Sequence, residues 1–207
     1  MKSVAVILAV AGSAAAFAPS AQVSRSNTAL SALDWREMPG ATAPLKGFDP
    51  LGLATVGSDE TLLWFRAAEI KHSRVAMLAV TGYLINGAGF HFPGMLSSDV
   101  SFESLSTMNP LDAWEAVPDA GKSQILGTCF LAEVVTEAKG THYTRGGSMP
   151  TIVFPPIDFS KVDQEIIDVK RARELNNGRL AMIAIMSFFA AHSIPGSVPA
   201  LVGNPAF

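Results

Sequence analysis

A single cysteine, Cys129, is all the chain holds, so no disulfide can form within it and no thiolate metal site can be assembled. As a small apolar side chain, Cys129 is expected to be buried and without a role. Charge is scarce too: Asp, Glu, Lys and Arg make up 16% of the 207 residues, against 49% hydrophobic ones. With a mean hydropathy of +0.31, this is too apolar for an ordinary water-soluble domain and points to a membrane protein. The net charge of −3 offers no basic surface, so no nucleic-acid partner is expected. No nucleophile–base set, phosphate loop or zinc motif is found, which argues against an enzyme.

Two local absences are as informative. From the N-terminus to Leu33 there is no acidic residue, the first being Asp34. Lys2, an apolar run from Val4 to Ala16 and the small residues Ala14–Ala15–Ala16 make a signal peptide over 1–16. The Ser-rich stretch with Arg25 that follows, over 17–33, has the composition of a transit peptide. This two-part leader, with Phe17–Ala18–Pro19 at its junction, resembles plastid targeting in algae with red-lineage secondary plastids. The mature domain is then 34–207. The second absence lies over 91–120, which has five acids (Asp99, Glu103, Asp112, Glu115, Asp119) and no Lys or Arg.

Three long helices are expected. A Pro/Gly-rich surface segment over 34–58 leads to the first, at about 59–89, which Ser58 or Asp59 can cap and Phe90–Gly94 ends. A shorter apolar helix covers about 122–138, and a third about 162–193, before Pro195–Gly196. The predicted fold is an all-α membrane protein of three transmembrane helices. Basic residues around 139–161 and the purely acidic 91–120 connection put the N-terminus and 139–161 on the cytoplasm-equivalent side, which is the stroma in a thylakoid; the C-terminus is then lumenal.

What is present in abundance is a repeat. Residues 66–78 read RAAEIKHSRVAML and 171–183 read RARELNNGRLAMI. Glu69, His72 and Arg74 in the first copy correspond to Glu174, Asn177 and Arg179 in the second, 105 residues on. Both copies start a long helix on one membrane side, which makes the first and third helices parallel, crossed and related by a pseudo-twofold along the membrane normal. A lone charge at the centre of a membrane helix costs roughly 2.5–3.5 kcal/mol. Pairing Glu69 with Arg179 and Glu174 with Arg74 removes that cost symmetrically. Ala67, Ser73, Ala76 and Ala172, Gly178, Ala181 are small enough for a close crossing.

His72 and Asn177 lie one turn beyond the two carboxylates. Imidazole nitrogen, amide oxygen and an arginine-neutralised carboxylate are each suited to be the single axial ligand of a metal already held by a flat macrocycle. The magnesium of chlorophyll is such a metal, whereas free Mg²⁺ demands octahedral oxygens and water.

These signatures, ExxHxRxAM at 69–77 and ELNNGRLAM at 174–182, together with Phe48-Asp49-Pro50-Leu51-Gly52, resemble the chlorophyll-binding light-harvesting superfamily. The likeness covers about 34–194 and is greatest to the fucoxanthin chlorophyll a/c-binding proteins of diatoms and related algae. It implies that Glu69, His72, Glu174 and Asn177 are axial ligands to chlorophyll magnesium, with Arg74 and Arg179 as their pairing partners. On the middle helix it implies ligation from Gln124 and Glu133. Near the end of the third helix it implies a ligand at His192, although the spacing from Asn177 departs by one residue. Glu137, His91 and His142 are expected to be solvated.

The expected cofactors are chlorophyll a, chlorophyll c and fucoxanthin or a related xanthophyll, whose polyene needs apolar walls beside the crossed helices. The expected function is a light-harvesting antenna of the thylakoid membrane. Its partners would be photosystem I or II and other light-harvesting proteins. Two alternatives are a photoprotective quencher of the same fold, tripped by lumenal acidification of the 91–120 acids, and a small transporter or structural membrane protein.

Overall fold

The computed structural model describes residues 34–138, 140–147 and 162–203. The expected signal and transit peptides, 1–33, lie outside the described residues, as does most of the 139–161 connection. Among the described residues the architecture is helical: an isolated bridge between Met95 and Ser101 is the one β feature.

Helix α1 runs Asp59–Gly87. Ser58 stands at its N-cap without a side-chain capping bond, and its carbonyl accepts from the Thr61 and Leu62 amides. Asp59 and Glu60 meet the positive end of the helix dipole. The expected irregular stretch over 91–120 instead contains two short helices, α2 at Phe102–Ser106 and α3 at Pro110–Ala116. Local signals in the sequence account for both. Ser101 Oγ accepts from the Ser104 amide at 3.1 Å, and Asn109 Oδ1 from the Leu111 amide at 3.1 Å with Pro110 at the first helical position. Helix α4, the middle helix, covers Asp119–Glu137 and starts three residues before its expected bound. Helix α5 covers Gln164–Ser193.

Helices α1 and α5 cross in close contact and form the core. At the crossing, Ser73 faces Gly178: a Cβ placed on Gly178 would lie 2.2 Å from Ser73 Cβ. Only glycine permits this approach. Ala76 and Ala181 are buried nearby, and Tyr83 and Phe188 stack with ring centroids 4.8 Å apart. Each of these three pairs spans the same 105-residue offset as the two signatures. The internal correspondence therefore extends past the signatures, from Ser73 to Tyr83 on α1 and from Gly178 to Phe188 on α5.

Helix α4 differs from the other two. No residue of it is buried. Ile125, Leu126, Phe130 and Leu131 are all exposed, and so is Cys129, which corrects the expectation of a buried thiol.

On hydropathy alone, none of the described helices is long and apolar enough to cross a membrane, so the three expected spans are not found this way. Length is not the obstacle, since 29 and 30 residues at about 1.5 Å each exceed a hydrocarbon core. Charge interrupts the apolar runs: Glu69, Lys71 and Arg74 in α1, Lys122 and Glu133 in α4, and Arg171, Glu174 and Arg179 in α5.

Candidate pigment-binding site

Both expected ion pairs are present. Arg179 Nε donates to Glu69 Oε1 at 2.8 Å, and Arg74 Nε donates to Glu174 Oε1 at 2.6 Å. Helix α1 supplies the acid of one pair and the base of the other, and α5 does the reverse. Arg179 also donates through Nη1 to the Gly40 carbonyl at 2.7 Å, which fastens the N-terminal segment to the crossing. Gly40 has φ 94°, and a Cβ there would press on Leu175 Cδ1 at 2.8 Å. Glycine is required by conformation and by space alike.

The two carboxylates are not equivalent. Arg66 Nη1 donates to Glu69 Oε2 at 2.7 Å, so each oxygen of Glu69 has a guanidinium. The corresponding Arg171 turns to Asp168, 3.7 Å away, where α1 has Leu63. Glu174 thus keeps Oε2 open, with no hydrogen bond or ion pair to it among the described residues. Arg66 carries no signal in a repeat comparison, because both copies begin with arginine.

His72 Nδ1 lies 2.8 Å from the Ala68 carbonyl. A carbonyl only accepts, so Nδ1 carries the proton and Nε2 presents its lone pair outward from the exposed ring. This is the tautomer that a metal-ligating imidazole needs. Asn177 and Gln124 are exposed, and their side-chain amides have no hydrogen bond among the described residues. His192 Nε2 lies 3.3 Å from Asp112 Oδ1, which leaves Nδ1 as its open atom.

Glu133 brings in a residue the sequence reading does not select. Lys71 Nζ donates to Glu133 Oε2 at 2.5 Å and to Glu137 Oε1 at 2.6 Å. Glu137 is therefore not solvated as expected, and its other oxygen, Oε2, meets His142 Nε2 at 2.7 Å. His142 is likewise engaged rather than solvated, with Nδ1 2.7 Å from Thr144 Oγ1. Beside it, burial raises the Tyr143 phenol above its ordinary range, and the Glu137 charge adds to the shift.

A cleft of about 650 Å³ lies between the 35–54 segment and the start of α1. Trp35, Phe48, Leu53, Leu62 and Phe65 line it together with the charged Arg66, Glu69 and Arg179. Asp49 shapes the rim, accepting from the Leu53 and Ala54 amides at 2.9 and 2.8 Å.

Residues 35–193 match the family model described as chlorophyll A-B binding protein. The chain is 35% identical over 192 residues to fucoxanthin-chlorophyll a-c binding protein C of Phaeodactylum tricornutum, covering 89% of this chain and 92% of that one. It is 34% identical over 208 residues to the fucoxanthin-chlorophyll a-c binding protein of Trieres chinensis, covering 97% and 98%. A relative from Macrocystis pyrifera, fucoxanthin-chlorophyll a-c binding protein D, is 34% identical over 72% of this chain and 81% of its own length. The matched span holds both signatures and the crossing they build, and the chain belongs to the chlorophyll A-B binding protein family, whose members carry pigment and are not enzymes.

Proposed function

We propose that this chain is a light-harvesting antenna protein that binds chlorophyll a, chlorophyll c and fucoxanthin or a related xanthophyll in the plastid thylakoid membrane. The observation that carries the reading is the crossed pair of arginine-held carboxylates flanked by open donor atoms. Glu174 Oε2 and His72 Nε2 each present a lone pair away from a fixed hydrogen bond. A macrocycle-held magnesium wants one such donor in a dry place, and the donors fit it. Glu69, His72, Glu174 and Asn177 are the proposed magnesium ligands of the crossed helices; Glu69, whose two oxygens each hold a guanidinium, coordinates through a second lone pair on one of them. Gln124 and Glu133 serve the middle helix, and His192 acts through Nδ1. The chemistry that bound pigments supply is light absorption and excitation transfer to photosystem I or II, alongside other light-harvesting proteins.

The chain's own task is to hold positions. Arg74 and Arg179 neutralise the ligand carboxylates and lock the helices at one crossing angle. The cleft over 35–54, lined by apolar rings and by the charged Arg66, Glu69 and Arg179, suits the oxygenated end ring of a xanthophyll. The exposed apolar side chains of α4 suit lipid and pigment rather than water.

Charge pairing is what lets these helices lie in a bilayer despite their hydropathy, since a neutralised pair escapes most of the penalty on either charge. The proposed domain order is a signal peptide over 1–16, a transit peptide over 17–33 and the pigment-binding domain over 34–207. The N-terminus and the 139–161 connection face the stroma.

The test is an absorption and fluorescence-excitation spectrum of the complex purified in mild detergent from its native membrane. Chlorophyll red bands, with carotenoid excitation appearing in chlorophyll emission, are expected. A stable colourless protein refutes the reading.

A further inference from the structure

Helix α4 buries none of its residues, yet it holds a place against α1. The described bonds between the two helices converge on one atom, Lys71 Nζ, which donates to both Glu133 and Glu137. Within this cluster the two acids have different capacity left. Glu137 has both oxygens engaged, one by Lys71 and one by His142. Glu133 has only Oε2 engaged; Oε1 has no partner among the described residues, and the side chain is 56% exposed.

That pattern is the pattern at Glu174: one carboxylate oxygen on a cation of the neighbouring helix, the other open. A carboxylate that coordinates a macrocyclic magnesium keeps its negative charge, and in apolar surroundings that charge needs a counter-ion. Arginine fills this place at the helix crossing. At Glu133 the available cation is a lysine, whose three donors let it serve two acids at once.

We infer that Lys71 is a positioning residue for pigment on the middle helix: it neutralises Glu133 and turns Oε1 outward to coordinate a chlorophyll magnesium. This rests on the pigment-binding function proposed above and adds a charge-compensating residue from outside the Glu–Arg repeat.

The test compares tagged variants expressed in a diatom host, with chlorophyll per polypeptide counted in each purified complex alongside its absorption spectrum. K71M leaves Glu133 uncompensated and is expected to lose one chlorophyll per polypeptide, with one component of the red absorption band. K71R keeps the full complement. E137Q keeps it too, because Glu133 retains its cation. The decisive variant is K71M/E133Q. A glutamine amide oxygen is a neutral donor that needs no counter-ion, so the double variant regains the chlorophyll that K71M loses.

If Lys71 only tethered the helix, adding E133Q to K71M would restore nothing, and a double variant still one chlorophyll short overturns the inference. Should K71M fail to accumulate, E133Q is compared with K71M/E133Q: equal pigment supports the role, and a loss in the double refutes it. E133A with a full complement refutes Glu133 as a ligand, while the Glu174 and His72 sites keep their own tests. A complex without pigment in every variant, wild type included, refutes the antenna function itself.

Discussion

Arg74 and Arg66 both hold a ligand-type carboxylate, but losing them leaves different situations. Among the described residues Glu69 has two guanidinium partners and Glu174 has one, with Arg171 lying by Asp168 instead. R66Q leaves Glu69 with Arg179, and a stability loss within about 1 kcal/mol is expected. R74Q leaves Glu174 without its described partner, at a cost of about 1–3 kcal/mol. Thermal melting of the two purified complexes, followed by pigment circular dichroism, compares them. A larger drop for R66Q would contradict the asymmetry. D168N in the R74Q background releases Arg171 to approach Glu174, and part of the lost melting temperature should return. A second residue-scale expectation concerns His72: H72Q keeps a donor at that position and retains pigment, whereas H72L loses one chlorophyll by pigment analysis.

At the scale of elements, the crossing of α1 and α5 depends on Gly178. A methyl group there meets Ser73 Cβ at 2.2 Å and must push the helix axes apart, so G178A is expected to cost about 1–3 kcal/mol. Separation also lengthens both Glu–Arg pairs, so the loss should exceed that of S73A, which only removes a small buried hydroxyl. Melting curves of the two variants decide this, and equal losses would mean that the helices are not in contact at that point.

The crossing is legible in the sequence because a repeat displays both partners of each pair at once: Glu69 and Arg179 can be matched because Glu174 and Arg74 stand in the same relation. The small residues at 73, 76, 178 and 181 are legible for the same reason. Lys71 is not, since its repeat counterpart is Asn176 and its partners lie on a helix outside the repeat. The expectations for Cys129 and Glu137 fail on one assumption, that an apolar helix packs on protein and an acid at its end meets water. Helix α4 does neither. The charge pattern of 91–120 hides its two short helices, whose signals are the short-range caps Ser101 and Asn109.

For the whole molecule, the balance between protein contacts and cofactor space is uneven. The crossed pair has its own packed seam, while α4 presents its apolar side chains outward. A protein assembled this way should lose order first at α4 when pigment is extracted. Hydrogen exchange on mildly delipidated complexes is expected to show amides of 123–135 unprotected before those of 70–80 and 175–185. Simultaneous loss in all three would mean that α4 is held by more than Lys71. Orientation is testable at this scale as well. Protease added to sealed thylakoids should cut within 139–161 and spare a tag placed after Phe207. The opposite pattern would invert the proposed topology.

The two arginine bonds join residues 110 and 100 positions apart. A chain threaded from its N-terminus therefore delivers Glu69, Lys71 and Arg74 long before Glu174 and Arg179 arrive. Glu69 has Arg66 on its own helix, but Lys71 must wait for the middle helix and Arg74 for the last, and an unmated charge in hydrocarbon costs roughly 2.5–3.5 kcal/mol on insertion scales. For the membrane-spanning arrangement proposed above, segment-by-segment stitching into a bilayer is thus an uphill route. The favourable route commits neither half alone and docks the two halves in one step. A chain cut short ahead of Glu174 has no second half to dock with, so it should fail to accumulate in the membrane.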